Sequence, residues 1–392
     1  MKRKAFDLLA SFEQCTGCMA CYNACQHDVI QVIADEEGFM RPFLLATECL
    51  NCGNCVKACP IIKPILPERF CEPQVFACTH ANKHARMQAS SGGIFSALAK
   101  IMMQRQGVVF GAAFTDKHLV EHIGVEREED LHVLKKSKYV QSNVGKCLSV
   151  AKEHLENGRC VLFSGLPCQI AGLYSYLGND YDKLYTVDLL CKGAPSPGVF
   201  STFINSIEER YKSAVQAYSF RDKKYGSERA TSVVTFSNGK KLVLPLTQTS
   251  FGSGFSTELF LRPSCYHCQY RNINRMGDIT LGDFWGIGRD FAFYDLKSEG
   301  ISLVMLNSMK GKALFDVIGS SLLLEKRNIQ EAINRNRALN GKNIVNRRRT
   351  RFFALYKRRP QLALNLFTII HRTMVWLRNK IQPVKTSCLK LK

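Results

Sequence analysis

The chain has 392 residues, 46% of them apolar and 22% charged, the balance of a folded protein with a sizeable core; this excludes a disordered or collagen-like chain. The net charge of +21 would suggest nucleic acid or anionic lipid if spread evenly, but fourteen Lys or Arg and no Asp or Glu fall between Lys342 and Lys392, so the excess belongs to one end. The seventeen cysteines accompany a start with no apolar run long enough for a secretory signal; together they predict a reducing, cytoplasmic setting where dense thiols bind metal.

Residues 1–66 read as a small α+β, ferredoxin-like domain. Two runs, Cys15-x2-Cys18-x2-Cys21-x3-Cys25 and Cys49-x2-Cys52-x2-Cys55-x3-Cys59-Pro60, have the spacing of bacterial two-cluster ferredoxins. In that pattern three close thiolates take three corners of a 4Fe-4S cube, and the fourth cysteine of each run crosses to the other cube. One cluster is therefore expected on Cys15, Cys18, Cys21 and Cys59, and the other on Cys49, Cys52, Cys55 and Cys25. Gln26 stands where the pattern often has proline and removes no ligand. Zinc also takes four thiolates, but zinc sites rarely repeat a third and fourth cysteine at these offsets. A module of this kind relays single electrons. The prolines of "CPIIKPILPERF" then mark a linker.

From Gln74 the composition becomes that of an α/β core, with an N-terminal part over 74–155 and a cysteine-bearing part over 156–325. "SSGGIFSALAKIMMQRQG" predicts a helix over about 91–106, and "VVFGAAF" a strand. "RCVLFSG" and "LYTVDLL" read as strands buried on both faces of a parallel sheet, each followed by a helix, "PCQIAGLYSYL" and "PGVFSTFINSIEERY". Asn238-Gly239 between two β-rich runs predicts a hairpin insertion. "DITLGDF" and "ISLVMLNS" add strands, and "KALFDVIGSSL" a helix.

Nine cysteines remain outside the two runs. Cys71, Cys78, Cys147, Cys160 and Cys388 are isolated; the apolar or terminal setting of most of them is that of small hydrophobes. Cys168 and Cys191 each follow a predicted strand, so parallel neighbours would bring both to the carboxyl edge of the sheet, where open α/β folds place ligands. Cys265-x2-Cys268 supplies two more thiols. Pro167 suits the first position of a helix whose positive end would face a bound anionic cluster. No histidine sits near Cys168 to activate it as a nucleophile, and a thioredoxin-like pair would need a second cysteine there. A zinc site built from Cys265, His267 or Cys268 and the other two thiols stays open on spacing alone.

Five motifs in order, "SSGGIFSALA", "KSKYVQS", "SGLPCQIAGL", "DLLCKGAPSP" and "LRPSCYHCQYRNINRMGDITLGDFWGI", resemble the coenzyme F-420 hydrogenase/dehydrogenase beta-subunit family, whose relatives include plant 7-hydroxymethyl chlorophyll reductases. The resemblance spans about residues 74–325. It implies a flavoprotein core that binds FAD and holds its own 4Fe-4S cluster on Cys168, Cys191, Cys265 and Cys268. It also implies flavin contacts from Ser91, Gly92 and Gly93, from Lys138, Tyr139, Gln141 and Ser142, and from Gly165 and Pro167. No catalytic residue is implied. The expected activity is that of a flavin and iron-sulfur oxidoreductase, passing electrons between a one-electron donor such as ferredoxin and an organic or deazaflavin-type substrate. A non-catalytic electron-transfer subunit of a larger redox complex is the alternative.

The last segment, 326–392, is basic and predicted helical. Its longest uncharged stretch, Gln361 to Ile370, is too short to span a bilayer. Two readings fit it: an amphipathic segment on the anionic inner face of a membrane, and a helix packed on the core with a solvated basic face. Nucleic-acid binding is disfavoured, because no recognition motif accompanies the charge.

Overall fold

The computed structural model describes residues 5–45, 48–225, 230–341 and 346–381. Its strands in chain order are β1 (Ile30–Ala34), β2 (Met40–Leu44), β3 (Gln74–His80), β4 (Val108–Phe114), β5 (Val120–Val125), β6 (Val161–Gly165), β7 (Leu184–Leu189), β8 (Val215–Ser219), β9 (Thr231–Phe236), β10 (Lys241–Pro245), β11 (Ile279–Asp283), β12 (Ser302–Leu306) and β13 (Leu322–Arg327). Eight of them form one mixed sheet in the order β13, β3, β12, β11, β7, β6, β4, β5. Its centre, β11, β7, β6 and β4, is parallel, while β12, β3 and β13 on one side and β5 on the other are antiparallel. Val161, Leu162 and Phe163 are fully buried, which is why this strand reads as an unbroken apolar run. β6 and β7 pair from Val161 with Leu184 to Gly165 with Asp188, so their carboxyl ends are level and the loops bearing Cys168 and Cys191 leave the same edge.

Asn238-Gly239 joins β9 to β10 with Gly239 at φ +79°, and β8 completes a separate three-stranded antiparallel sheet. Together with the helix Pro197–Tyr211 it encloses an aromatic core, in which Phe200 and Phe251 are 5.0 Å apart and Tyr218 and Phe220 4.7 Å. Side chains of this size each contribute about 1.5–3 kcal/mol on burial. The helix expected from residue 91 starts later, spanning Ile94–Gln104. Gly93 precedes it at φ +90°, and a Cβ on Gly92 would collide with the Cys78 carbonyl oxygen, so the turn is pressed onto β3 instead of joining the helix.

The proline-rich segment read as a linker is docked at its C-terminal end. Arg69 donates to the Tyr174 hydroxyl (2.8 Å) and the Met276 carbonyl (2.7 Å) and lies 3.3 Å from the Asp278 carboxylate, and the Phe70 amide donates to Asn307 O at 2.7 Å. The N-terminal hairpin β1–β2 meets the core at its tip. Ser196 Oγ donates to Glu37 O at 2.6 Å, and the Gly198 amide to Gly38 O at 3.1 Å.

Helices Arg349–Tyr356 and Pro360–Ile381 follow. Phe352, Phe353, Ala363 and Leu364 are buried, Arg349 grips both carboxylate oxygens of Glu37, and Lys357 reaches Glu36 at 2.5 Å. This part of the basic segment is therefore a packed helical pair, docked on acidic residues of the N-terminal hairpin. No helix among the described residues is long and apolar enough to cross a membrane. Cys388, with everything after Ile381, lies outside the described residues.

Candidate functional site

The two cysteine runs trace the same backbone path. In Cys15-Thr16-Gly17-Cys18 and Cys49-Leu50-Asn51-Cys52 the third residue has positive φ, +69° at Gly17 and +59° at Asn51. One position past the second cysteine Met19 (+62°) and Gly53 (+77°) do the same, each capping a one-turn helix, Ala20–Asn23 and Asn54–Lys57. A left-handed methionine costs on the order of 1–2 kcal/mol, held here by complete burial. Cys15, Cys18, Cys21 and Cys59 line one cavity of about 320 Å³. Burial, with Cys15 and Cys59 as charged neighbours, pushes the Cys18 thiol up to about 12; the Cys21 thiol is raised well above its usual value for the same reason. Around Cys55 the neighbouring thiols are Cys52 and Cys49, which with burial raise it too. Cys25 is half-buried just beyond the helix Ala20–Asn23.

Cys168, Cys191, Cys265 and Cys268 line a second cavity, of about 370 Å³. Cys168 is the second residue of the helix Pro167–Leu177, with Pro167 at the first helical position. Cys191 lies two residues past β7, and Cys265 and Cys268 belong to the short turn Pro263–His267 and the residue after it. The Ala194 amide points at Cys265 Sγ from 3.3 Å. Burial pushes Cys191 up to about 12 and, with Cys191, Cys268 and Cys265 alongside, holds Cys168 well above the ordinary thiol value. A thiol binds metal as its thiolate, giving up its proton to solvent, so the positive charge of bound iron would offset the burial that raises these groups. Among the described residues no group of three or more His, Cys, Asp or Glu side chains is arranged to hold a single metal ion. Four cysteines spaced around a cavity of this size fit a group with one iron per thiolate.

The two cavities adjoin: Thr16 and Ile61 line both. Cys18 packs on the helix that carries Cys168. A Cβ on Gly172 would stand 2.7 Å from Cys18 Cβ and 2.9 Å from its Sγ. Gly172 is four residues after Cys168 and so shares its helix face. Tyr270 lies beside Cys168, Cys18 and Cys268, and burial raises its hydroxyl above its ordinary value. Sequence reasoning missed both residues. The spacing Cys168-x3-Gly172 was a usable signal for the glycine, whereas nothing local marked the tyrosine.

The residues expected at a flavin divide into two sets. Ser137 N–H donates to Ser90 Oγ at 2.6 Å, tying the 136–142 stretch to the "SSGG" turn. At that turn the helix start has no side-chain cap, and Ser91 Oγ is buried without a partner, which fits the phosphate end of a cofactor. Lys223, unnoticed in the sequence, brings a cation to the turn, donating to Ser91 O at 2.5 Å. The other set is engaged within the fold. Lys138 donates to the carbonyls of Val133 and Lys135, both at 2.8 Å; Gln141 accepts from Arg262 at 3.1 Å; Ser142 Oγ accepts from Gln169 at 3.0 Å. Tyr139 stacks on Phe255 at 5.0 Å, Gly165 packs against Gln169, and Pro167 borders the core cysteine cavity.

Burial pushes the Lys138 ammonium down to about 7, below the ordinary lysine value of the unfolded chain. Between those two values the unfolded chain holds more protons, so stability rises as pH rises. Lys138→Met is expected to flatten that rise, read from urea midpoints at pH 7 and pH 9; a parallel rise in both proteins would refute it.

Residues 158–332 match the family described as the C terminus of the coenzyme F420 hydrogenase/dehydrogenase beta subunit, and residues 14–61 match a 4Fe-4S dicluster domain. A chain in a structure of the F420-reducing NiFe hydrogenase complex from Methanosarcina barkeri aligns at 14% identity and a TM-score of 0.44, covering 79% of this chain and 94% of that one. No curated protein matches.

Proposed function

We propose that the chain is an iron-sulfur oxidoreductase subunit in which single electrons pass between the dicluster domain and a third 4Fe-4S cluster on Cys168, Cys191, Cys265 and Cys268. The observation that carries this reading is the pair of adjoining cavities, each lined by four cysteines drawn from separate stretches of the chain. Clusters bound there supply one-electron storage and transfer, and FAD, the cofactor implied by the family resemblance, would join single electrons to two-electron chemistry. The chain's own residues do the rest. The left-handed turns at Gly17 and Asn51 shape the thiol loops, Pro167 and the strand ends position Cys168 and Cys191, and Tyr270 packs the space between the two cysteine sets.

The proposed donor or acceptor is a one-electron redox protein such as ferredoxin, meeting the dicluster domain where Cys52 and Leu50 are exposed. The proposed substrate is organic or deazaflavin-type, in the cytoplasm. Ser91, Gly92, Gly93 and Lys223 would hold the phosphate end of FAD; the Lys138 ammonium and Gln141 Oε1 are engaged within the fold, so a part for these two residues at a flavin would fall to their other atoms. The second reading, an electron-transfer subunit without chemistry of its own, is favoured by that same engagement.

Anaerobic purification of the full chain with iron, sulfide and flavin quantification tests this. The expected result is about twelve iron and twelve sulfide per chain. Stoichiometric FAD, with turnover of a small substrate on reduced ferredoxin, supports the enzyme reading. A flavin-free protein that passes electrons only to a partner subunit supports the second. Colourless protein with stoichiometric zinc would overturn both.

A further inference from the structure

Arg262 is 1% exposed, and among the described residues no carboxylate pairs with it. Its Nε donates to Cys15 O at 2.7 Å, Nη1 to Met40 O at 3.0 Å and to Gln141 Oε1 at 3.1 Å, and Nη2 lies 3.5 Å from Cys15 Sγ. Gly17 makes the space: a Cβ there would stand 2.5 Å from Gln141 Nε2 and 2.8 Å from Arg262 Nη1. The other guanidinium near Cys15, Arg41, is bonded to Asp35 and neutralised by it. Arg262 also reaches the other site. Its carbonyl accepts from the Cys265 amide at 2.9 Å. A buried cation without a counter-ion is costly, and hydrogen bonds to neutral carbonyls do not remove its charge.

We infer that the Arg262 guanidinium is the fixed positive charge that sets the reduction potential of the cluster at Cys15 relative to the one at Cys265, an inference that rests on the cluster assignment proposed above. A cluster held by four thiolates is anionic, and each electron it accepts adds one negative charge. A cation in contact with one of its ligands stabilises the reduced form and raises its potential, and the effect is large where little solvent intervenes. Arg262 touches a Cys15 sulfur directly and meets Cys265 through its backbone, so the Cys15 cluster gains most. The arginine is thus a positioning residue for electrons: it tilts the exchange between the two sites toward the N-terminal cluster.

The test is potentiometric titration of the anaerobically purified full chain, followed by electron paramagnetic resonance, for the wild type, Arg262→Gln, Arg262→Lys and Gln141→Glu. Gln141→Glu keeps the arginine and adds a carboxylate of the same shape against it, so it tests the charge even if Arg262→Gln does not fold. Both neutralising changes are expected to lower the potential of the Cys15 cluster most, that of the core cluster less, and that of the Cys49 cluster least, with iron content unchanged. Arg262→Lys is expected to stay nearer the wild type. Unchanged potentials, or three equal shifts, in the neutralised variants would overturn the inference. A wild type without iron-sulfur signals would instead overturn the cluster assignment.

Discussion

Cys168→Ala is expected to remove about four iron per chain and leave about eight. The cysteine is the one thiol that the helix Pro167–Leu177 brings to a cavity whose other thiols come from the loop after β7 and the turn Pro263–His267 with the residue after it. Losing it leaves three thiols, two of them close together in the chain, and one iron of the cube without a thiolate, which weakens its hold on the protein. The eight N-terminal cysteines do not share a ligand with this set, so their iron is expected to survive. Iron and sulfide analysis of the anaerobic variant reads the result. Twelve iron retained would show that Cys168 is not a ligand; loss of all twelve would show that the two sites do not assemble independently.

The second large effect is expected at Gly172. A valine there would drive its side chain into Cys18, whose Cβ and Sγ already lie 2.7 and 2.9 Å from where a Cβ would be. The helix is buried along nearly all its length and Cys18 sits in a loop with two left-handed residues, so neither can move freely. Overpacking of this kind costs about 1–3 kcal/mol. Gly172→Val is therefore expected to lower the midpoint of thermal unfolding and to slow electron exchange between the N-terminal and core clusters, because the contact that holds them together is forced apart. Core iron should stay in place. A variant with wild-type unfolding and wild-type exchange in stopped-flow reduction would show that the contact is not what joins the sites.

Sequence reading passes over Gly172 for a physical reason. It sits inside "PCQIAGL", where a helical glycine looks like a mild defect; its meaning depends on Cys18, 154 residues earlier and in another domain. Arg262 and Lys223 are of the same kind. Each reads as an ordinary surface cation, and each is buried, because the partner that needs its charge or its donors arrives from a distant part of the chain. Lys138 shows the converse. It stands in a motif tied by resemblance to a flavin, yet its ammonium caps two carbonyls of its own neighbourhood.

By itself the sequence determined whatever is set by short-range geometry. The repeated cysteine spacing predicted which thiols line the first cavity, including the crossing Cys59. Apolar runs marked the central strands, Asn238-Gly239 the hairpin, and Pro167 the helix start beside Cys168. These are local because thiolate spacing, strand periodicity and turn conformation are properties of a few consecutive residues. Only the tertiary structure decided that the proline-rich segment is docked at its end, that Arg349 and Lys357 of the basic C-terminal segment reach Glu37 and Glu36, and that the two cysteine cavities share a wall. Those outcomes depend on burial and on close approach between residues far apart in sequence, and no local pattern encodes which surfaces will meet.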